Sequence, residues 1–440
     1  MAALNGHDAL AERLRELMAG DTSSSSSATT TTERFRGDGP SAAFLVFYRT
    51  IGLLPTATDS PGEWAAFEEA MMRPPRVSVR VRPNAPLARH LRRFLAEHME
   101  LSASGEWFGL ERGEWKRRVE TREWVERAVT GGLLVHHHLD VALPALLLAA
   151  LPPCGAEGDG ARREVVRVLD LCAASAERAL LLLDVGSPRA AVAANGVDDA
   201  KNFLSSCGAG RRWGSDRALV TFGPPARYPC TFNEDGSQVL YDHIILEVPP
   251  VSTDHSLREA PRLWETWSIG PALAAHTRQL KLLLRGLHLL GNGGVLAYCS
   301  RSLNPLENEA VVLAALRRYK GAVMLVPAPP LAGVHLHPGL ESWRVPDPTE
   351  TSLFRYFDAW DDVPQHLRPP NEKALKESMF PPKPGSEEAN ALRGCARLMP
   401  HSSGEDSPPG FVALLRMTNH RPSRVEDWPL PRKTAPPPRF

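Results

Sequence analysis

From residue 162 onward, short apolar runs alternate with helical ones. EVVRVLDLCAA reads as an apolar strand ending at Asp170. AAVAANGVDDAKNFLSSC supplies a second strand, a turn at Asn195-Gly196 and a helix. RALVTF is a third strand, and YDHIILEVPP a fourth, stopped by Pro249-Pro250. A Leu-rich helix is expected within Thr266–Leu290, and GNGGVLAYCSRSLNPLENEAVVLAAL reads as a Gly turn, a strand, a loop and another helix. Strands without polar alternation must be covered on both faces, which restricts the chain to an α/β fold around a mostly parallel sheet. Ligands of such sheets sit beyond the carboxyl ends of the strands. Asp170, Asp198, Glu247 and Cys299 fall on that edge.

The remaining sequence frames this unit. The chain has 440 residues, enough for two or three domains at about 150 residues each. Residues 1–43 form an N-terminal segment whose DTSSSSSATTTTER stretch has too little apolar area to repay ordering. Residues 44–130 read as a small α+β domain: a helix at Glu63–Met72, the alternating strand PPRVSVRVRP, and a helix at Ala88–His98. The α/β unit takes 131–325. Residues 326–440 are Pro-rich and irregular, with a strand expected at Gly410–Met417, and read as an extension packed on the α/β unit. The richest apolar run, Val141–Pro153, falls short of the ~18 residues of a membrane span and suits a buried helix. Neither a membrane helix nor a signal-peptide core is expected, and Asp8, Glu12 and Glu16 weigh against a transit peptide. Six cysteines with no CxxC pair suit a reducing, intracellular setting, with nucleus and mitochondrion both open.

Lys and Arg total 51, as do Asp and Glu, so the net charge is zero. Yet Arg73, Arg76, Arg80, Arg82, Arg89, Arg92 and Arg93 lie together with no acidic residue among them. Such a patch suits phosphate through the guanidinium fork, and a nucleic-acid-facing surface is one reading of it. A solvated face balanced by Glu106, Glu111 and Glu114 is the plainer reading. His136, His137 and His138 lack further ligands nearby, so no metal site is expected. Asp170 suits a cap or a ligand amine, and Asp198 a ribose or a helix cap. The turn after the first strand has no glycine to bring backbone close to a cofactor. Glu247 is a weak candidate base, and Cys299 a weak candidate nucleophile that suits a buried strand position equally well.

The order of motifs resembles the Nop/Sun family of RNA (cytosine-5) methyltransferases, nearest the eukaryotic tRNA-type branch, over roughly Phe44 to Met417. YRTIGLLP and GEWAAFEEAMMRPPRVSVRV resemble the branch's N-terminal domain. LDLCAA and ANGVDDAKNFL resemble the first two cofactor motifs, YDHIILEVPP the fourth motif, and YCSRSLNPLENEAVV the sixth. MFPP and GCARLMPHSSGEDSPPGFVALL resemble its C-terminal region. The resemblance implies a Rossmann-like methyltransferase fold with a mixed, mostly parallel seven-stranded sheet. It also implies S-adenosylmethionine as cofactor, and a cysteine that attacks C6 of cytosine so that C5 can take the methyl group.

Carried over position by position, the chemistry departs from the family. Arg301 stands at the attacking cysteine, Pro250 at the releasing cysteine and Glu247 at the aspartate before Val-Pro. Ser175, Ala176, Glu177 and Arg178 replace Pro-Gly-Ser-Lys; Gly196 and Gly223 replace the ribose-side and adenine-side aspartates. Asp170, Leu303-Asn304-Pro305 and Glu307 remain. The expectation is therefore a fold retained without its catalysis, and no cofactor. Such a protein would bind structured RNA (tRNA or rRNA) or a ribonucleoprotein complex as a scaffold or assembly subunit. An active methyltransferase using S-adenosylmethionine and a protein-only partner of an active enzyme are the alternatives.

Overall fold

The computed structural model describes residues 41–54, 62–82, 87–99, 101–104, 107–110, 112–136, 138–151, 165–175, 177–197, 217–249, 254–331, 333–349, 355–370, 374–402 and 408–418. The expected linker at 21–34 lies outside them. Two helices come first, α1 (Ala42–Thr50) and α2 (Glu63–Met72). Then follow β1 (Val77–Val81), α3 (Ala88–Glu97), β2 (Ser102–Ser104), β3 (Trp107–Leu110), α4 (Arg112–Arg117), α5 (Val119–Thr130), β4 (Leu134–His136) and α6 (Leu139–Ala150). The α/β unit continues with β5 (Val166–Ala173), α7 (Glu177–Val185), β6 (Ala190–Gly196) and β7 (Ala218–Phe222). A short hairpin of β8 (Thr231–Phe232) and β9 (Gln238–Val239) leads to β10 (Tyr241–Glu247) and α8 (Asp254–Leu257). After α9 (Gly270–Leu289) come β11 (Leu290–Ser300), α10 (Glu309–Tyr319), β12 (Val323–Val326) and β13 (His337–Pro338). A pair of two-residue strands, β14 (Val345–Pro346) and β15 (Tyr356–Phe357), precedes α11 (Glu387–Leu392), β16 (Ala396–Leu398) and β17 (Gly410–Met417).

Nine of these strands form the main sheet, in the order β13-β16-β17-β11-β10-β5-β6-β7 with β12 also on β17. Strands β7, β6, β5, β10 and β11 are parallel, and β17 runs antiparallel to β11. This is the expected Rossmann-like α/β architecture, with a mixed, largely parallel sheet, but it has nine strands where seven are expected, because the short β16 and β13 extend the edge beyond β17. The side chains show why it forms. Along β11, Leu296 and Tyr298 enter the core shared with α1, α2, α9 and α10, while Val295, Ala297 and Cys299 enter the one shared with α6 and α7. Both faces are dry, so every residue along the strand must be apolar or paired. The Gly turn expected before β11 is part of the strand itself: a Cβ on Gly294 would stand 2.9 Å from the Asp242 carbonyl oxygen, so only glycine lets β10 pass this close.

Three boundaries differ from the sequence reading. The small sheet, β2-β3-β1-β4, includes β4, so that unit runs past residue 130. Helices α1 and α2 do not belong to it. Phe44 packs edge-on against Trp264 and Trp267, at 4.9 and 5.3 Å between ring centres, and joins the main core. An aromatic helix face takes the largest apolar surface within reach, and here that is the α/β unit. The third boundary is at the C-terminal side: Gly410–Met417 is β17, inside the main sheet, where it pairs with β11 on one edge and with β12 and β16 on the other.

Candidate functional site

The order of the sheet reverses between β5 and β10, and their carboxyl ends converge there. Asp170 on β5 is fully buried and faces Arg178, in the first turn of α7. The guanidinium donates Nε–H to Asp170 Oδ2 at 2.9 Å and Nη2–H to Oδ1 at 3.1 Å. Its Nη1 donates to Glu247 at the end of β10, and Nη2 reaches the Cys172 carbonyl at 3.5 Å. Burial works against the Arg178 charge, but Asp170 and Glu247 more than offset it and hold its pKa well above the ordinary arginine value. The structure thus brings together Asp170, Arg178 and Glu247 as one buried ion cluster of two carboxylates and one guanidinium.

Arg301 follows β11 and forms a second pair. Its Nε donates to Asp140 Oδ2 at 2.6 Å, and the Asp140 side chain is fully buried in the first turn of α6. Burial opposes the Arg301 charge while Asp140 and then Glu247 raise it, so the group stays cationic. His255 on α8 is half-buried; burial and then Arg301 push its pKa down to about 4, so it is neutral near pH 7. Cys299 lies two residues before Arg301, within β11, between Glu247 on β10 and Val412 on β17. Its thiol donates to the Ala297 carbonyl, and burial pushes its pKa far up. A nucleophile needs thiolate and access, and this thiol has neither.

The loop after Arg301 is fixed from several sides. Asp254 accepts from Leu303 N at 2.9 Å, Ser302 Oγ at 3.2 Å, Trp267 Nε1 at 3.0 Å and the Tyr48 hydroxyl. Asn308 Nδ2 donates to the Ser302 carbonyl at 2.8 Å, and Arg397 Nη1 to the Leu303 carbonyl at 2.8 Å. A slip of register that brought Cys299 to the place of Arg301 would break all of these. Sequence reasoning missed Asp140, Asp254 and His255. Asp140 sits beside the histidine tract without a motif of its own, and Asp254 has partners 206 and 49 residues away, so no local pattern marks either.

On the other side of β5, Asn195 closes the strand ends. Its Nδ2 donates to the Leu171 and Gly223 carbonyls at 3.1 and 2.9 Å, and its Oδ1 accepts from Thr221 Oγ1 at 3.2 Å. Gly196 ends β6, and Gly223 follows β7 with open space where a Cβ would stand. Ser175 hydrogen-bonds its near neighbour Glu177. Ala176, Asp198 and Pro250 lie outside the described residues.

The arginine patch divides. Arg80 is a correction: it is 1% exposed, and its Nη2 donates to Asp184 Oδ2 at 2.9 Å, so it cannot present its charge to a partner. Arg82 bonds the same carboxylate at 3.2 and 3.3 Å. The reason is the strand period, which puts positions 80 and 82 on one face, here turned to α7. Arg76 is half-buried, with Nη2 3.4 Å from the Gly109 carbonyl. Arg73, Arg89 and Arg93 are exposed, and Arg92 partly so. Arg93 pairs with Glu97 and Arg73 with Glu69, each one helical turn away. Of the histidine tract, His136 meets Glu126 at 3.3 Å and burial lowers the pKa of His138; residue 137 is outside the described set.

Residues 161–356 match the family model for the 16S rRNA methyltransferase RsmB/F. A tRNA (cytosine(34)-C(5))-methyltransferase of Drosophila melanogaster is 33% identical over 267 residues, 58% of this chain and 34% of that protein. The multisite-specific tRNA:(cytosine-C(5))-methyltransferase trm4b of Schizosaccharomyces pombe is 37% identical over 196 residues, 44% of this chain and 27% of that one. The chain thus spans about a third of the length of these curated relatives. Among solved structures, a methyltransferase homologue from Pyrococcus horikoshii superposes with a TM-score of 0.52 at 19% identity, covering 81% of this chain and 91% of that one. NSun6 from the same organism gives 0.51 at 14% identity, covering 81% and 94%. At such identities the likeness is one of fold.

Proposed function

We propose that this chain, which belongs to the RsmB/NOP-type family of tRNA and rRNA (cytosine-5) methyltransferases, is a catalytically silent member that acts by binding structured RNA or a ribonucleoprotein. One observation carries the reading. At the position where the family places its attacking cysteine stands Arg301, a cation locked at 2.6 Å to the buried carboxylate of Asp140. A guanidinium has no lone pair to add to C6 of a cytosine, and without that addition C5 is too poor a nucleophile to take a methyl group. Cys299 is no substitute, because strand pairing and burial hold it as an inert thiol. Glu247, in the place of the family's aspartate, spends its charge on Arg178.

The side chains present do not fit S-adenosylmethionine well either. Asp170 and Arg178 are bound to each other, and Gly196 and Gly223 offer no carboxylate to the ribose or the adenine. A donor amine or carboxylate would have to break a buried ion pair to enter. Binding, in contrast, needs only the surface. Exposed Arg73, Arg89 and Arg93 still support contact with phosphate, on a narrower footprint than seven arginines.

Two measurements test the two halves. Calorimetry with S-adenosylmethionine should show no heat, and a tritiated-methyl assay on tRNA and rRNA no label; transfer of label would sink the catalytic half. Gel-shift titrations at several salt concentrations should show binding that weakens with salt, by a slope of about −0.9 per phosphate neutralised on duplex regions. A flat response would favour a partner made of protein.

A further inference from the structure

The histidine tract at 136–138 has no companion ligands near it in the sequence, so no metal site is expected there. The fold assembles a different set. Glu63 opens α2, His337 lies in β13 and His401 follows β16, so three segments far apart in sequence meet. One ligand atom from each lies within 4.8 Å of the other two. His401 Nε2 is 3.5 Å from Glu63 Oε1, close to the ~3.3 Å expected between two ligands that each sit 2.0–2.1 Å from a tetrahedral zinc. The His337 and His401 rings are 5.8 Å apart, and exposed His335 packs edge-on against His337 at 4.9 Å.

We propose that Glu63, His337 and His401 form a zinc site, with two imidazoles and one carboxylate as protein ligands and water in the fourth position. Beyond the clustering, the rings are held in place for an ion. The His401 side chain is only 7% exposed and turns Nε2 toward Glu63. His337 Nε2 is 2.6 Å from Ser402 Oγ. A metal-binding imidazole typically uses its second ring nitrogen on such an outer partner, which fixes the orientation of the ring.

The electrostatics suit a cation. Arg397, the nearby cation that bears on His337, is itself neutralised by Glu309, to which its Nε donates at 2.7 Å. A bound ion would tie α2 to the turn at 399–402 and to β13. The site shares no residue with the family's catalytic positions, and it stands whether or not the reading of those residues does.

The test uses the full chain, stripped with chelator and titrated with zinc sulfate in a calorimeter. One equivalent should bind to the native chain. His337→Ala with His401→Ala should remove that equivalent. Glu63→Gln, which keeps the size of the side chain, should weaken it at least about tenfold, since losing even an outer-shell partner costs 10–100-fold. Cobalt should give a tetrahedral visible spectrum in the native chain that the double variant lacks. Near-ultraviolet circular dichroism of the metal-free variants should match the native chain, so that loss of metal is not loss of fold; if the double variant misfolds, Glu63→Gln alone decides. The same zinc isotherm in native chain and variants, no binding at all, or preference for magnesium or ferrous ion over zinc would overturn the proposal.

Discussion

Arg178 is buried and has three acceptors within reach. Removing it leaves Asp170 fully buried without a counter-charge, which is far worse than never having had the pair. Arg178→Met should therefore lose about 3–5 kcal/mol in urea unfolding at pH 7. Burial already holds the Asp170 pKa above the ordinary carboxylate value despite Arg178; removing Arg178 raises it further, so the folded variant takes up that proton at a higher pH and the stability deficit shrinks as pH falls. A deficit that stays constant with pH would show that Asp170 is not the group left unpaired. His276 is a second residue with a definite sign. Its Nδ1–H donates to the Leu306 carbonyl at 2.8 Å, and its Nε2 accepts from the Ser378 hydroxyl at 2.9 Å. Burial takes its pKa from 6.5 down to about 4. The unfolded chain binds more protons between those values, so this contribution is complete above pH 6.5 and is lost as pH falls toward 4. Its size is on the order of 3 kcal/mol. Urea midpoints across that window should fall less steeply for His276→Gln than for the native chain. Residue identities at the family's catalytic positions were legible in the sequence, since a motif fixes its own numbering. What each replacement touches was not: Asp140 is 161 residues from Arg301, and Glu247 is 69 from Arg178.

At the level of elements, β1 carries two patterns at once. Val79 and Val81 turn into the small core, while Arg80 and Arg82 turn to α7 and share the buried carboxylate of Asp184. The alternation was visible in VSVRVR, and it predicted a strand with one charged face. The sequence did not show that an acidic helix end covers that face, because Asp184 lies about a hundred residues downstream. Asp184→Ala should remove the buried carboxylate that Arg80 and Arg82 share and destabilise the chain by about 3–5 kcal/mol. Arg93→Ala breaks only an exposed pair within α3 and should change stability by less than about 1 kcal/mol. In gel shifts, Arg89→Glu with Arg93→Glu should weaken RNA binding and flatten its salt dependence while Asp184→Ala leaves that slope alone. The reverse ranking would place the contact elsewhere.

For the molecule as a whole, the apolar strands from 166 to 300 announced both the sheet and its class, because burial on both faces leaves a signature in every residue. The C-terminal region left a weaker one. Its strands β13 to β16 are two or three residues long, too short for a period to register. Gly410–Met417 was readable as a strand, but its partners were not, since pairing is decided by edges the rest of the fold leaves open.

That last strand has a consequence for synthesis. In a chain made from its N-terminus, β17 leaves the ribosome 110 residues after β11 ends. At 5–20 residues per second that is a wait of about 5–20 s. Throughout it, β11 shows an apolar strand edge with open hydrogen-bonding groups, the kind of surface that pairs with whatever strand arrives. Chains stalled near residue 400 should therefore be cut by protease within the α/β unit and held by chaperones, while chains stalled with residue 417 well outside the exit tunnel should resist. Birth of this fold is timed by its final strand.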